Sequence, residues 1–234
     1  MMLTVTHKGL FWLAIINPAD SQMGILNRFM NHVRRPRGFI GRLFVKGMNR
    51  THHKRTDWGL HHVKVGEDFM ILDVGCGGGR TISKLAALAS KGKVYGVDIS
   101  EDSVQVARNY NKQLLREGQV DIRVSGVSTL PFKDSFFDLV TAVETHYYWP
   151  DLEVDLDEVL RVIKPDGIFL VIGGEYLGSR FDERNREWAT KIGMRLNTLG
   201  ELKSIMSNVG YKDIKIFENY NEGWFCATGK KSAV

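Results

Sequence analysis

The sequence predicts a doubly wound α/β fold: a seven-stranded, mostly parallel sheet with a C-terminal antiparallel hairpin and helices on both faces. Three observations predict it. Short apolar runs of strand length alternate with stretches of helical periodicity from residue 69 onward. The first run ends in a cluster of glycines, as a buried parallel strand entering a tight turn does. The last two runs are joined by a short polar turn.

Taken in order, Met70-Ile71-Leu72-Asp73-Val74 is the first strand. Thr81 to Ser90 places Ile82, Leu85, Ala86 and Ala89 on one helical face. Lys93 to Ile99 is the second strand, and Ser100 caps a helix expected to run to about Glu117 before Gly118. Strands follow at Asp121–Ser125 and Phe137–Val143. A helix over about Asp155–Ile163 is expected to end at Pro165-Asp166-Gly167, before a strand at Ile168–Ile172. Thr198-Leu199-Gly200-Glu201 is a capping box that opens a helix ending near Gly210. The hairpin takes about Asp213–Phe217 and Trp224–Thr228.

Composition divides the chain. Residues 1–60 carry ten Lys and Arg against two acids, a net +8, while the remainder is −3. The basic character belongs to an N-terminal extension, residues 1–65, and not to the domain at 66–234. Such an arm is a solvated surface or a grip on an anionic partner. Two cysteines, Cys76 and Cys226, supply no disulfide framework and point to a reducing compartment, the cytoplasm. No apolar stretch reaches the roughly 18 residues that cross a bilayer. Six of the seven histidines lie within residues 1–62, but the pairs 52–53 and 61–62 lack a cysteine or well-spaced acid, so no metal site is expected.

The turn after the first strand runs Asp73-Val74-Gly75-Cys76-Gly77-Gly78-Gly79. Consecutive glycines let a ligand approach the backbone, and the helix that follows aims its free N–H groups and positive dipole end at the same spot. A dinucleotide fingerprint requires a third glycine at 80 or 82, where Arg80 and Ile82 stand, and no Gly-Lys-Ser/Thr ending of a P-loop is present.

Residues 71–81 resemble motif I of the class I S-adenosylmethionine (SAM)-dependent methyltransferases. Asp98, ending the second strand, stands where that family keeps an acid for the ribose hydroxyls. Leu130-Pro131-Phe132 with Phe136-Phe137-Asp138, and Val159 through Gly167, are similar to the small-molecule branch that includes the ubiquinone/menaquinone methyltransferases. The resemblance covers about residues 66–230 and implies a Rossmann-like fold and SAM as cofactor, with S-adenosylhomocysteine as product. It implies cofactor contacts from Asp73, Gly75, Cys76, Gly77, Gly79, Asp98, Ile99, Ser100, Val127, Ser128 and Glu144. One departure is Gly126, which replaces the branch's usual adenine-binding Asp and leaves that role to neighbours such as Ser125, Val127 and Ser128.

The segment after the fourth strand, Glu144-Thr145-His146-Tyr147-Tyr148-Trp149, lies beside the transferable methyl in this fold. His146, Glu144 and Tyr147 are the catalytic candidates: an imidazole, a carboxylate and a phenol able to take a proton or cradle a sulfonium. Tyr148 and Trp149 either wall the acceptor or pack as core. In this class the segment before strand one closes over the cofactor, so Asn49, His53 and Trp58 are lid candidates. Tyr176, in the 174–197 insertion, is a further acceptor-pocket candidate. The expected function is methyl transfer by in-line displacement to a small-molecule acceptor, by a monomer or homodimer. RNA methylation using the basic arm and SAM binding without catalysis are the alternatives.

Overall fold

A computed structural model describes residues 53–233. Residues 1–52 of the basic extension, including Asn49, lie outside the described residues. Helix α1 (His53–Leu60) precedes strand β1 (Met70–Val74). Then come α2 (Arg80–Leu88), β2 (Lys93–Asp98), α3 (Glu101–Tyr110), α4 (Lys112–Arg116), β3 (Val120–Val124) and β4 (Phe137–Val143). The chain continues through α5 (Leu152–Val162), β5 (Ile163–Gly173), α6 (Asp182–Ile192), α7 (Leu199–Val209), β6 (Lys212–Asn219) and β7 (Trp224–Lys230).

The seven strands form one sheet in the order β3-β2-β1-β4-β5-β7-β6. β1 to β5 pair in parallel, while β7 runs antiparallel between β5 and β6. The strand order reverses between β1 and β4, the crevice position where open α/β sheets bind ligands.

Alternation along the strands builds two cores. On β5, Phe169 and Val171 join Leu156, Val159 and Met206 under α5 and α7. Leu170 and Ile172 face the other way, with Leu60, Ile82, Leu85 and Val104 beneath α1, α2 and α3. Such strands, buried on both faces, read as continuous apolar runs. Among the described residues no helix is long and apolar enough to cross a membrane.

Three boundaries differ from the sequence expectation, each for a local reason. α5 starts at Leu152, not Asp155, because the Asp151 carboxylate accepts the backbone N–H groups of Glu153 and Val154, both at 3.2 Å. Pro165-Asp166-Gly167 does not separate helix from strand. Ile163 already pairs with Phe137, and the four residues after it form a bulge before pairing resumes at Ile168. Asp166 takes a left-handed φ of 62° there, and its N–H donates to the Lys231 carbonyl. The helix expected to reach Glu117 breaks at Asn111, whose buried side chain bonds back to the Ala107 carbonyl at 2.9 Å.

Candidate active site

The glycine turn leaves β1 at the carboxyl edge of the sheet, and its glycines serve different ends. Gly75 sits at φ 70°, and a Cβ there would run into Thr145 in the loop after β4. Gly79, at φ 77°, would place a Cβ 2.9 Å from the Ala107 backbone, so this position is fixed by helix packing. Gly77 differs: at φ 50° a Cβ would meet nothing within 4 Å. Among the described residues, open space stands over the backbone at that residue.

The Asp98 carboxylate ties the turn to β2. It accepts the Gly77 N–H at 2.9 Å through one oxygen and the Ser100 N–H at 2.8 Å through the other. Each oxygen keeps a further lone pair, enough for a vicinal diol. Burial raises the Asp98 carboxyl above its usual range, against these two backbone donors. Ser100 is buried and caps α3 through its side chain. Beside Asp98, Ile99 is 48% exposed, an apolar shelf next to Gly126, where a Cβ would touch only Ile99 at 3.8 Å. Val127, next in the chain after Gly126, is buried in the core.

Asp73 lies at the centre of the sheet, 1% exposed, and accepts the Thr141 hydroxyl at 2.7 Å. Burial pushes its carboxyl up to about 7, the Thr141 bond opposes that, and the Asp98 charge adds to it. Cys76 is buried against Gly96, and its thiol is pushed well up, first by burial and then by Asp98 and Asp73.

At the ends of β4 and β5 the structure gathers a second group. Glu144 takes a left-handed φ of 59°, an unfavourable conformation for a residue with a Cβ. Its carboxylate pairs with Arg55 of α1 and accepts the Tyr147 hydroxyl. Glu175, just past β5, lies 3.1 Å from the same hydroxyl and 3.7 Å from the Arg55 guanidinium. Burial alone would disfavour the Arg55 charge, but Glu144 and Glu175 outweigh it and hold the guanidinium protonated. The guanidinium is bounded by Gly174, where a Cβ would collide with it, and by the Trp224 ring 5.9 Å away.

His146, Glu144 and Tyr147 are therefore neighbours. The His146 ring lies 4.4 Å from that of Tyr147 and edge-on to Phe225. Its Nδ1 is buried with no hydrogen-bond partner among the described residues. Burial pushes the imidazole down to about 4, against the pull of Glu144, so the ring is neutral near pH 7 and a weak base. A cleft of about 310 Å³ opens beside it, lined by His146, Trp149, Asp151, Leu152, Arg195 and Asn197.

Several candidates need correcting. Trp149 is core, 6% exposed and stacked on Phe169, with one edge reaching the cleft. Tyr176 is buried against Phe225 and gives its hydroxyl to Glu218 at 2.5 Å, which ties it to the hairpin. Ser128 spends its hydroxyl on the buried Asp155 at 2.5 Å. The Ser125 hydroxyl is likewise taken by the Gly126 and Thr129 carbonyls, both at 3.1 Å. Tyr148 is half-buried, edge-on to Tyr147. Of the lid candidates, Trp58 packs on His62 at 4.9 Å and Trp224 at 6.1 Å, and His53 opens α1.

Sequence reasoning missed Arg55 and left Glu175 unranked within the insertion. Arg55 had a signal: it stands four residues before Gly59, on the face of α1 that carries the buried Thr56, Gly59 and Leu60.

Residues 72–171 match the family model described as a methyltransferase domain. Squalene methyltransferase 1 of Botryococcus braunii is 30% identical over 156 residues, covering 63% of this chain and 40% of that protein. A demethylmenaquinone methyltransferase of Symbiobacterium thermophilum is 36% identical over 112 residues, 47% of this chain and 45% of its own length. The chain thus spans less than half the length of these two curated relatives. The geranyl diphosphate C-methyltransferase of Streptomyces coelicolor A3(2) superposes with a TM-score of 0.67 at 15% identity, over 92% of this chain and 100% of that one. The likeness to that structure is one of fold. The glycine turn, the Asp98 strand end, the segment after β4 and the bulged entry to β5 all fall within the residues that match the methyltransferase-domain model.

Proposed function

We propose that the chain is a SAM-dependent methyltransferase that transfers a methyl group to a small-molecule acceptor. The observation that carries this reading is the pairing of Gly77 with Asp98. Open space stands over a backbone held at φ 50°, and a buried carboxylate with spare lone pairs borders it at 2.9 Å. That arrangement fits a ribose diol and an adjoining chain, and the turn lacks the third glycine that a dinucleotide would need.

Bound there, SAM supplies a sulfonium whose methyl carbon is open to displacement without acid assistance. The residues of this chain do the rest. Asp98 orients the ribose, Ile99 covers one face of the adenine, and the Glu144–Tyr147 loop closes the methyl end. The acceptor approaches through the cleft beside His146. Positioning supplies most of the acceleration in such a transfer. The matched relatives named above act on small molecules by their names, squalene and demethylmenaquinone, and that supports the small-molecule reading over the RNA one.

Calorimetry with S-adenosylhomocysteine tests the cofactor assignment. The expected result is binding that weakens by about 1.5 kcal/mol or more in Asp98→Ala, as for lost bonds to a charged group. No binding of SAM or its product overturns the assignment. Incubation with methyl-labelled SAM and either small-molecule extracts or RNA then tests the acceptor class: label in RNA alone overturns the small-molecule reading.

A further inference from the structure

The Tyr147 hydroxyl lies against two carboxylates at once. It is hydrogen-bonded to Glu144 and lies 3.1 Å from a Glu175 oxygen. A phenol has one proton to give. The hydroxyl therefore shares its one proton between two carboxylate oxygens that converge on it, and a proton on Glu175 removes the repulsion between the two carboxylates. Glu175 also meets the Glu144 carboxylate, a contact between two acids that needs a proton, while Arg55 pairs closely with Glu144 and stands 3.7 Å from Glu175. Among the described residues, the groups facing Glu175 are Arg55 from α1, and Glu144 and Tyr147 from the loop after β4; β7 contributes the uncharged Trp224 ring behind Arg55. The Glu175 side chain is 26% exposed against 8% for Glu144, so it is the member of the pair with a route to solvent.

We propose that Glu175 is a specificity-determining residue of this site: it holds a proton in the free protein and releases it to solvent when the cofactor's positively charged sulfur centre enters beside Glu144, so that the site favours the cation over its neutral product. The inference rests on the SAM reading above. The position supports it, because the loop bearing Glu144 touches the glycine turn through Thr145 and Gly75. His146 adds a second sign of an unfilled polar requirement here: its Nδ1 is buried without a partner among the described residues, next to Tyr147. The energetics agree, since burial and then the Glu144 charge push the Glu175 carboxyl up to about 7, against Arg55. The proton balance is simple: Glu175–COOH becomes Glu175–COO⁻, and the proton passes to buffer.

The test compares two ligands that differ in one charge. S-adenosylhomocysteine has a neutral thioether; sinefungin carries an ammonium-bearing carbon in its place. Titration calorimetry at pH 7 in two buffers of different ionisation enthalpy reads the proton released. We expect about half a proton released per sinefungin and none for S-adenosylhomocysteine, with sinefungin affinity rising about tenfold from pH 6 to pH 8. Glu175→Gln abolishes the proton release and the pH dependence while S-adenosylhomocysteine still binds, which also shows that the variant is folded. Tyr147→Phe removes a donor that favours the charged Glu175 carboxylate, so more proton is released at pH 7. Equal affinities with no buffer dependence in the wild-type protein overturn the inference and leave the SAM reading intact. Failure of both ligands to bind overturns the SAM reading and the inference with it.

Discussion

The Asn111 amide donates to the Gly79 carbonyl at 2.9 Å, tying the last residue of the glycine turn to the break between α3 and α4. The same nitrogen donates to the Ala107 carbonyl at 2.9 Å, and Asn111 is 2% exposed. One side chain thus interrupts a helix and fixes the turn. Asn111→Ala removes both bonds while each carbonyl keeps a backbone donor, Ser83 N–H on Gly79 and Asn111 N–H on Ala107, a loss of about 1–3 kcal/mol in unfolding free energy for the two bonds. Because Gly79 then moves more freely relative to Gly77, affinity for S-adenosylhomocysteine falls as well. Urea unfolding and calorimetry on the same preparation check this; an affinity within twofold of wild type would show that Asn111 serves the fold alone.

At Gly126 the resemblance leaves out an acid and the structure leaves room for one. A Cβ there meets only Ile99 Cδ1, at ordinary contact distance. Gly126→Asp is therefore expected to fold normally. The new carboxylate can accept the adenine amino group, a charge-assisted bond of about 1.5 kcal/mol or more, tightening S-adenosylhomocysteine binding roughly tenfold. Inosine-type analogues, which lack that amino group, should gain nothing. A uniform gain for both would place the effect elsewhere than the adenine.

Two buried groups give the free protein an opposed pH dependence. Asp73 titrates at about 7 when folded, against roughly 3.9 for an unfolded aspartate. The native state keeps a proton that the unfolded chain has lost, so this contribution is full below about pH 4 and disappears as pH rises through 7. His146 works the other way: its folded value is about 4, against roughly 6.5 unfolded. Its neutral ring contributes above about pH 6.5 and is lost as pH falls through 4. Asp73→Asn isolates the first effect. Relative to wild type, the variant should gain on the order of 2 kcal/mol in unfolding free energy at pH 8 compared with pH 5. The same difference at both pH values would mean that Asp73 is ionised in the native state throughout. Nitrogen chemical shifts of His146 at pH 5.5 should report a neutral imidazole, and an imidazolium pattern there would contradict the assignment.

How far the sequence could lead is visible in particular residues. Strands buried on both faces carry an unbroken apolar run, so β1, β2, β4 and most of β5 were legible, and the Thr198–Glu201 capping box appears as written. The glycine turn and Asp98 were legible because their spacing is local: turn, strand end and cap lie within about thirty residues of one another. Boundaries set by a distant partner were not. Nothing near Asn111 in the chain announces that Gly79, 32 residues earlier, needs its amide. Nor does any local pattern join Arg55 to Glu144 across 89 residues, or show that Tyr176 sends its hydroxyl 42 residues onward to Glu218. Aromatic residues were the least legible: Tyr147 and Trp149 are two apart, and one bridges the carboxylates while the other stacks in the core.

The docking of α1 offers a test that leaves every charged residue in place. The Arg55 guanidinium lies against the Gly174 backbone, so a methyl at that position would occupy the space the guanidinium needs. Gly174→Ala therefore pushes Arg55 off Glu144 and leaves a largely buried carboxylate without its close partner. Breaking such a pair costs about 3–5 kcal/mol, and the loss should be smaller here because the Tyr147 hydroxyl still donates to Glu144. Arg55→Met removes the guanidinium itself and should destabilise by a similar amount. The double variant is the decisive measurement: with the guanidinium gone, the alanine methyl has nothing charged to displace, so its added cost should fall to near zero. Additive losses in urea unfolding would show that Gly174 is required for its own backbone and not for the passage of Arg55 to the ends of β4 and β5.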